Sequence, residues 1–205
     1  MPRPHSPLLS VEAIVNAALA LVDETGDFSF PKVARKIGVS QSALYNYIDN
    51  REHIVELMRG RLFADQVVPP VEDLPWDEAL RVLVRIYRDG FAAHPRLVPL
   101  LVTQTVQDVG VVSLYENIAF TLERAGLDLA HIGPAIATID YLALGAALEL
   151  TAPEVVWSPP AGEFPALHRA VAHSGSVNER AESAFGFGLD VLVAGVRAKA
   201  LHEIY

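Results

Sequence analysis

Gly38, a residue that ends helices, stands two positions before Ser40, a residue that begins them. The surrounding stretch from Phe28 to Tyr47, FSFPKVARKIGVSQSALYNY, is therefore predicted to fold as two short helices joined by a sharp turn. The first should start at Ser29, whose side chain is placed to cap free backbone N–H groups, with Pro31 in the first turn, where a lost N–H costs little. Val33, Ala34 and Ile37 form its apolar face. So short a link forces a steep, close crossing, which the small Ala34 and Gly38 permit while Val39 and Leu44 fill the shared core. The second helix is left free to present Gln41, Ser42, Tyr45, Asn46 and Tyr47. That set is rich in hydrogen-bonding groups and poor in aliphatic ones, which suits base edges and phosphates in a DNA major groove. An ordinary corner in an all-α domain uses the same Ala, Gly and Leu spacing, so the flanks must discriminate.

Charge distribution does so. The 205-residue chain carries a net charge of −9, and an acidic protein repels phosphate when its charge is evenly spread. From Phe28 to Arg61, however, six basic residues (Lys32, Arg35, Lys36, Arg51, Arg59, Arg61) face three acidic ones, giving +3. From Val67 onward nine basic residues face 17 acidic ones, giving −8. A small DNA-binding head on an acidic body has this asymmetry.

The rest of the chain reads as helix after helix, and the predicted fold is all-α. After a mobile leader, Ser10 caps a helix with an apolar stripe through Val11, Ile14, Val15, Ala18, Leu21 and Val22, ending near Gly26. Beyond the helix-turn-helix, Asp49 and Glu52 form a capping box for a longer helix through Ile54, Met58 and Phe63. The segment VVPPVEDLP cannot continue it, because Pro69 and Pro70 remove N–H donors, and this places the boundary between a head (1–66) and a body (67–205). Body helices follow from Trp76 to His94, over a short piece from Arg96 to Gln104, over Val111–Ala125, and over Ala130–Leu150, which is apolar nearly all round and should be buried on most sides. A loop then runs from Thr151 to Ser176, with a short helix near Ala166–Ala172, and a last helix spans Asn178–Leu201.

Hydrophobic content of 51% is ample for a core. The chain has no cysteine, which fits a reducing compartment, and neither an export signal nor an apolar run of the roughly 20 residues a membrane span needs, so a cytoplasmic location is expected. None of the seven histidines has a Glu three residues before it, as a di-metal bundle would require, and there is no P-loop, G-x-S-x-G or H-E-x-x-H. The reading is a non-enzyme without metal or cofactor. A helical bundle that binds a ligand or serves as structure without DNA is the alternative, and it leaves the basic stretch from Phe28 to Arg61 unexplained.

The order of these pieces resembles the TetR family of bacterial transcriptional regulators. The resemblance rests on GVSQSALYNYIDNREHIVELM in the head and, in the body, on FPALHRAV and AFGFGLDVLVAGV, which are similar to the subgroup with a tetracycline-repressor-like C-terminal domain. It implies a homodimer that binds a palindromic operator and is released by a small, largely apolar ligand. Carried over by position, it implies that Gln41, Ser42, Ala43, Tyr45 and Asn46 face the groove and that Tyr47 and Arg51 grip phosphate; Ser40 and Lys32 complete the expected DNA-binding set. Where the family often carries polar or basic residues early in the preceding helix, this chain has Phe30 and Pro31. Leu101–Gln107 lacks the His that helps hold magnesium in the tetracycline repressor, and only Glu149 falls near a position that holds that metal, so tetracycline is not the expected ligand.

Tyr87, Phe91, Gln104, Tyr115, Ile118, Asp140 and Tyr141 are the candidate ligand-site residues, aromatic or polar groups on apolar helices. Asp140 interrupts the most apolar run in the chain, and a buried carboxylate needs a partner, so it either faces a pocket or meets water or an Arg at the surface. The last helix carries Gly186, Gly188 and Gly195, each costing roughly 0.8 to 1 kcal/mol of helix stability, a cost compatible with close approach of another backbone. With the small residues of Ala130–Leu150 this predicts a four-helix interface between identical subunits through Ala143, Ala147, Phe185, Gly188, Leu192 and Gly195.

Overall fold

The computed structural model describes residues 9–172 and 175–202, the last two by backbone alone, and the segment read as a mobile leader lies outside the described residues apart from its final position. Every regular element among them is helical: α1 (Val11–Thr25), α2 (Phe30–Ile37), α3 (Gln41–Leu44), α4 (Arg51–Phe63), α5 (Trp76–Ala92), a 3-10 turn (Pro95–Leu97), α6 (Val98–Leu101), α7 (Val109–Arg124), α8 (Leu129–Glu149), α9 (Pro165–Val171) and α10 (Val177–His202). The elements form two compact units that interleave in sequence. The first holds the described residues up to Val67 together with Arg96–Ser113; the second holds Val68–Pro95 and the described residues from Leu114 onward.

In the first unit α1 packs on α2 and α4 over a core that includes Ile14, Ala18, Val22, Val33, Leu44, Ile48, Ile54 and Met58. Ser10 caps α1, accepting from Ala13 N at 3.1 Å. Two caps differ from expectation, one in its bonding and one in its residue. Ser29 occupies the N-cap of α2 but makes no side-chain cap bond. For α4 the cap is Asn50, which accepts from His53 N at 2.7 Å, and Asp49 lies outside the helix with its carboxylate 3.2 Å from His53 Nδ1.

The linear reading did not contain the packing of Arg96–Ser113 in this unit, and one buried ion pair on α4 organises it. Arg59, 4% exposed, donates from Nε to Glu56 at 2.8 Å and from Nη2 to the carbonyls of Leu101 (3.0 Å) and Gln104 (3.4 Å). Glu56 in turn accepts from the backbone N–H groups of Gln107 (2.6 Å) and Asp108 (2.7 Å). Burial favours the protonated Glu56 carboxyl, but the bonds from Gln107, Arg59 and Asp108 outweigh it and hold the group below its ordinary range.

In the second unit α5 and α10 pack on α8 around Leu80, Leu83, Val84, Ile139, Ala143, Phe185 and Leu189. Half-exposed ion pairs tie α5 to α10, Arg81 to Asp190 at 2.6 Å and Arg85 to Glu182 at 2.9 Å; such pairs orient helices more than they stabilise them. Helix α8 departs from expectation twice. It runs 21 residues at mean hydropathy 1.3, so by length and composition it is able to cross a membrane, which corrects the view that no stretch is long enough. It is also not buried on most sides: only 17% of its apolar window is covered, because α5 and α10 occupy one face while Thr138, Tyr141, Gly145 and Leu148 lie open on another.

Candidate functional site

Gly38 ends α2 with φ 83°, a left-handed conformation that suits glycine, and its N–H and that of Val39 both return to Ala34 O at 2.9 and 3.0 Å. Ser40 then starts α3, accepting from Ala43 N at 3.3 Å. Helix α3 is one turn long, and Tyr45, Asn46 and Tyr47 sit in the turn after it. Leu44 anchors the element inward, while Ser40, Gln41, Ser42, Tyr45, Asn46 and Tyr47 are all exposed, Ala43 is half-buried, and Lys32 is exposed on α2. All of the predicted reading residues but Ala43 are therefore open to solvent in the first unit. Arg51 behaves differently. Its guanidinium donates to Phe28 O at 2.5 Å and to the Asp27 carboxylate, and lies 4.2 Å from the centre of the buried Phe28 ring. The hydrogen bond from Arg51 holds the Asp27 carboxyl below its ordinary range.

The second unit gathers some of the candidate ligand residues and separates others. Tyr87 on α5 and Tyr115 on α7 share a hydroxyl–hydroxyl bond of 2.5 Å, and Tyr115 donates to Asp140 on α8 at 2.9 Å. Phe91 meets Tyr87 edge-on at 4.9 Å, and Ile118, one turn beyond Tyr115, is buried. Burial first, and then the neighbouring Tyr115 and Asp140, push the Tyr87 phenol far above its ordinary range, so it stays a neutral donor. Asp140, for which a pocket or a surface partner was expected, is half-buried and accepts from the Tyr115 hydroxyl. Tyr141, by contrast, is 76% exposed, and Gln104 belongs to the first unit, where its carbonyl serves Arg59.

A second arrangement was not foreseen. Arg180, buried on α10, donates to Glu149 at 2.5 Å and to the carbonyls of Glu154 (3.1 Å) and Pro153 (3.2 Å), at the floor of a crevice of about 310 Å³ bordered by Tyr141, Gly145, Trp157 and Ala184. The Glu149 charge is thus matched by an arginine. Among the described residues no group of three or more His, Cys, Asp or Glu side chains is arranged to hold a metal ion. In the sequence Arg180 stands between Glu179 and Ala181 with Glu182 beyond, a charged setting that gives no signal for burial.

The expected interface residues also divide. Ala143, Ala147 and Phe185 are covered by the chain's own helices, and a Cβ on Gly188 would stand 2.4 Å from Leu142 of the same chain. These four serve internal packing of α8 with α10. Leu192 is half-buried, and Gly195 is exposed with nothing within 4 Å of a Cβ position.

Residues 68–200 match the family model described as "Tetracyclin repressor-like, C-terminal domain". The chain belongs to the tetracycline-repressor (TetR) family of transcriptional regulators. It is 28% identical to the class D tetracycline repressor protein of Escherichia coli over 96% of this chain and 94% of that one. It is 25% identical to the transcriptional repressor DrrR1 of Streptomyces coeruleorubidus over 71% of this chain, a match that spans only 55% of that relative. ActR of Streptomyces coelicolor shares the fold: its ligand-free structure superposes with a TM-score of 0.78 at 23% identity, covering 95% of this chain and 98% of ActR. Members of the TetR family are regulators rather than enzymes, and this chain is a ligand-responsive, DNA-binding regulator.

Proposed function

We propose that this TetR-family regulator is a repressor that binds a palindromic operator as a homodimer and releases it when a small, largely apolar molecule occupies the second unit. The single observation that carries the reading is the exposed surface of Ser40, Gln41, Ser42, Tyr45, Asn46 and Tyr47 within the stretch Phe28–Arg61, whose net charge is +3. A Gln amide pairs with adenine in two bonds and hydroxyls match phosphate, so this face combines base reading with backbone positioning. The names of the relatives, repressors in both cases, support the direction of control. For the effector, the Tyr87–Tyr115–Asp140 chain supplies orienting polar atoms within an apolar environment, the mixture that small-molecule sites use.

The dimer reading moves to a different set of residues from that expected. Exposed positions 138, 141, 145 and 148 on α8 and 184, 187, 191, 194 and 198 on α10 recur at three- and four-residue steps, the spacing of a helix-packing seam. Phe187 is 73% exposed there, and Gly145 and Gly195 face open space, so the absence of a side chain serves nothing within the chain itself. A two-fold pairing of these seams sets two recognition elements at about 34 to 36 Å, one DNA turn, or a multiple of it. Selection of bound duplexes from a random pool tests the whole reading. The expected product is an inverted repeat whose half-sites are spaced by whole turns; recovery of no preferred sequence, or of a single unrepeated site, overturns it.

A further inference from the structure

Phe30 and Tyr45 are stacked. Their ring centres lie 5.0 Å apart and their planes differ by 8°, an arrangement worth more than the area it buries. Phe30 is the first residue of α2 and Tyr45 the residue that closes α3, so the stack bridges the two helices at the reading face. Tyr45 is nevertheless 53% exposed, although a tyrosine recruited only to fill a core would be covered. With one face against Phe30, the Tyr45 ring cannot swing freely, and what it offers outward is a fixed apolar surface with one hydroxyl.

The residues around the stack are polar: Gln41, Ser42 and Asn46 are exposed on and after α3, and the exposed Lys32 stands two residues along α2 from Phe30. Phosphates and base-edge polar atoms thus have other partners, whereas the major groove carries one apolar feature, the 5-methyl group of thymine. We propose that Phe30 and Tyr45 act as a single aromatic plate that reads a thymine methyl in each operator half-site, Tyr45 by contact and Phe30 as a positioning residue. The inference rests on the DNA-binding reading above.

A deoxyuridine scan of the selected operator tests it, because replacing dT by dU removes the methyl and leaves every polar atom in place. Wild-type protein is first measured on operator and scrambled duplex; equal affinity there defeats the DNA-binding reading itself rather than the plate. On the operator, dU at one position per half-site is expected to weaken wild-type binding about four-fold, the worth of one buried methyl group. Phe30→Ala should abolish the difference between dT and dU at that position while keeping selectivity elsewhere, and Phe30→Tyr should restore it. Tyr45→Ala alters an exposed side chain, leaves the fold intact, and should abolish the same difference. Tyr45→Phe should retain it, since the hydroxyl plays no part. The proposal is overturned if no dT-to-dU change affects wild-type binding, if Tyr45→Ala keeps the response, or if Phe30→Ala weakens all duplexes equally with the methyl response intact.

Discussion

Replacing Glu56 by Gln should strip the first unit of its main polar anchor. Oε2 of Glu56 accepts from Arg59 at 2.8 Å and Oε1 from the N–H groups of Gln107 and Asp108 at 2.6 and 2.7 Å, so both oxygens face donors only. A glutamine amide has one acceptor and one donor. Turned toward Arg59, its NH2 leaves a buried donor unsatisfied at about 1–3 kcal/mol; turned the other way, it meets the N–H groups of the exposed Gln107 and the half-buried Asp108. The change also leaves the Arg59 charge, with 5% of its side chain exposed, without a counter-ion; breaking a buried pair in this way costs about 3–5 kcal/mol in all. The carbonyls of Leu101 and Gln104 still accept from Arg59, which favours the lower end, and we expect a loss of about 3 kcal/mol in urea unfolding at pH 7. The pH dependence is a second readout. Because the folded-state pKa lies below the ordinary value of 4.5, wild-type protein gains this stability fully above the unfolded value and loses it as pH falls through the depressed folded value. The Gln variant should lack that acid limb. A variant within about 0.5 kcal/mol of wild type at pH 7, the range of ordinary surface changes, or one with an unchanged acid limb, would refute the argument.

Two further predictions concern the head and the subunit contact. Asp27→Asn removes the negative charge that competes with phosphate for Arg51; as the pair is largely exposed, its worth is under about 1 kcal/mol, so fluorescence anisotropy at fixed salt should show operator binding about two- to five-fold tighter, and equal or weaker binding counts against Arg51 as a phosphate contact. Val191→Glu on the open face of α10 should give monomers in sedimentation with helical content unchanged, whereas Gly188→Arg would also drive Leu142 out of its own chain's packing and so report on folding as much as assembly; a Val191→Glu dimer defeats the seam.

The features legible in the sequence are those that a few neighbouring residues determine. Gly38 and Ser40 fix the helix-turn-helix because a left-handed stop and a side-chain cap are local events, and both are seen. The cap of α4 was misplaced by one residue because Asp49 and Asn50 are equally able to accept, and only the folded chain shows which side chain reaches His53 N. The candidate ligand set was half legible: Asp140 drew notice as a charge in an apolar run, but no periodicity reveals that Tyr115 is its donor or that Gln104 sits in another unit.

Where the linear reading failed most was in deciding which side of a helix is internal. Helix α8 is small or apolar on nearly every face, so its hydrophobic pattern names no single buried stripe, and alanines suited to close packing were assigned outward. The neighbours settle it. Ala143 and Ala147 face α5 and α10, and Gly188 admits Leu142, because two helices of one chain reach each other with no loss of translational freedom. The larger residues Tyr141, Phe187 and Val191 are what remains outside. Small residues thus build the close contact within the chain, while bulky ones beside Gly145 and Gly195 furnish both projections and hollows. A two-fold interface needs both on the same surface, since each patch must fit its own copy.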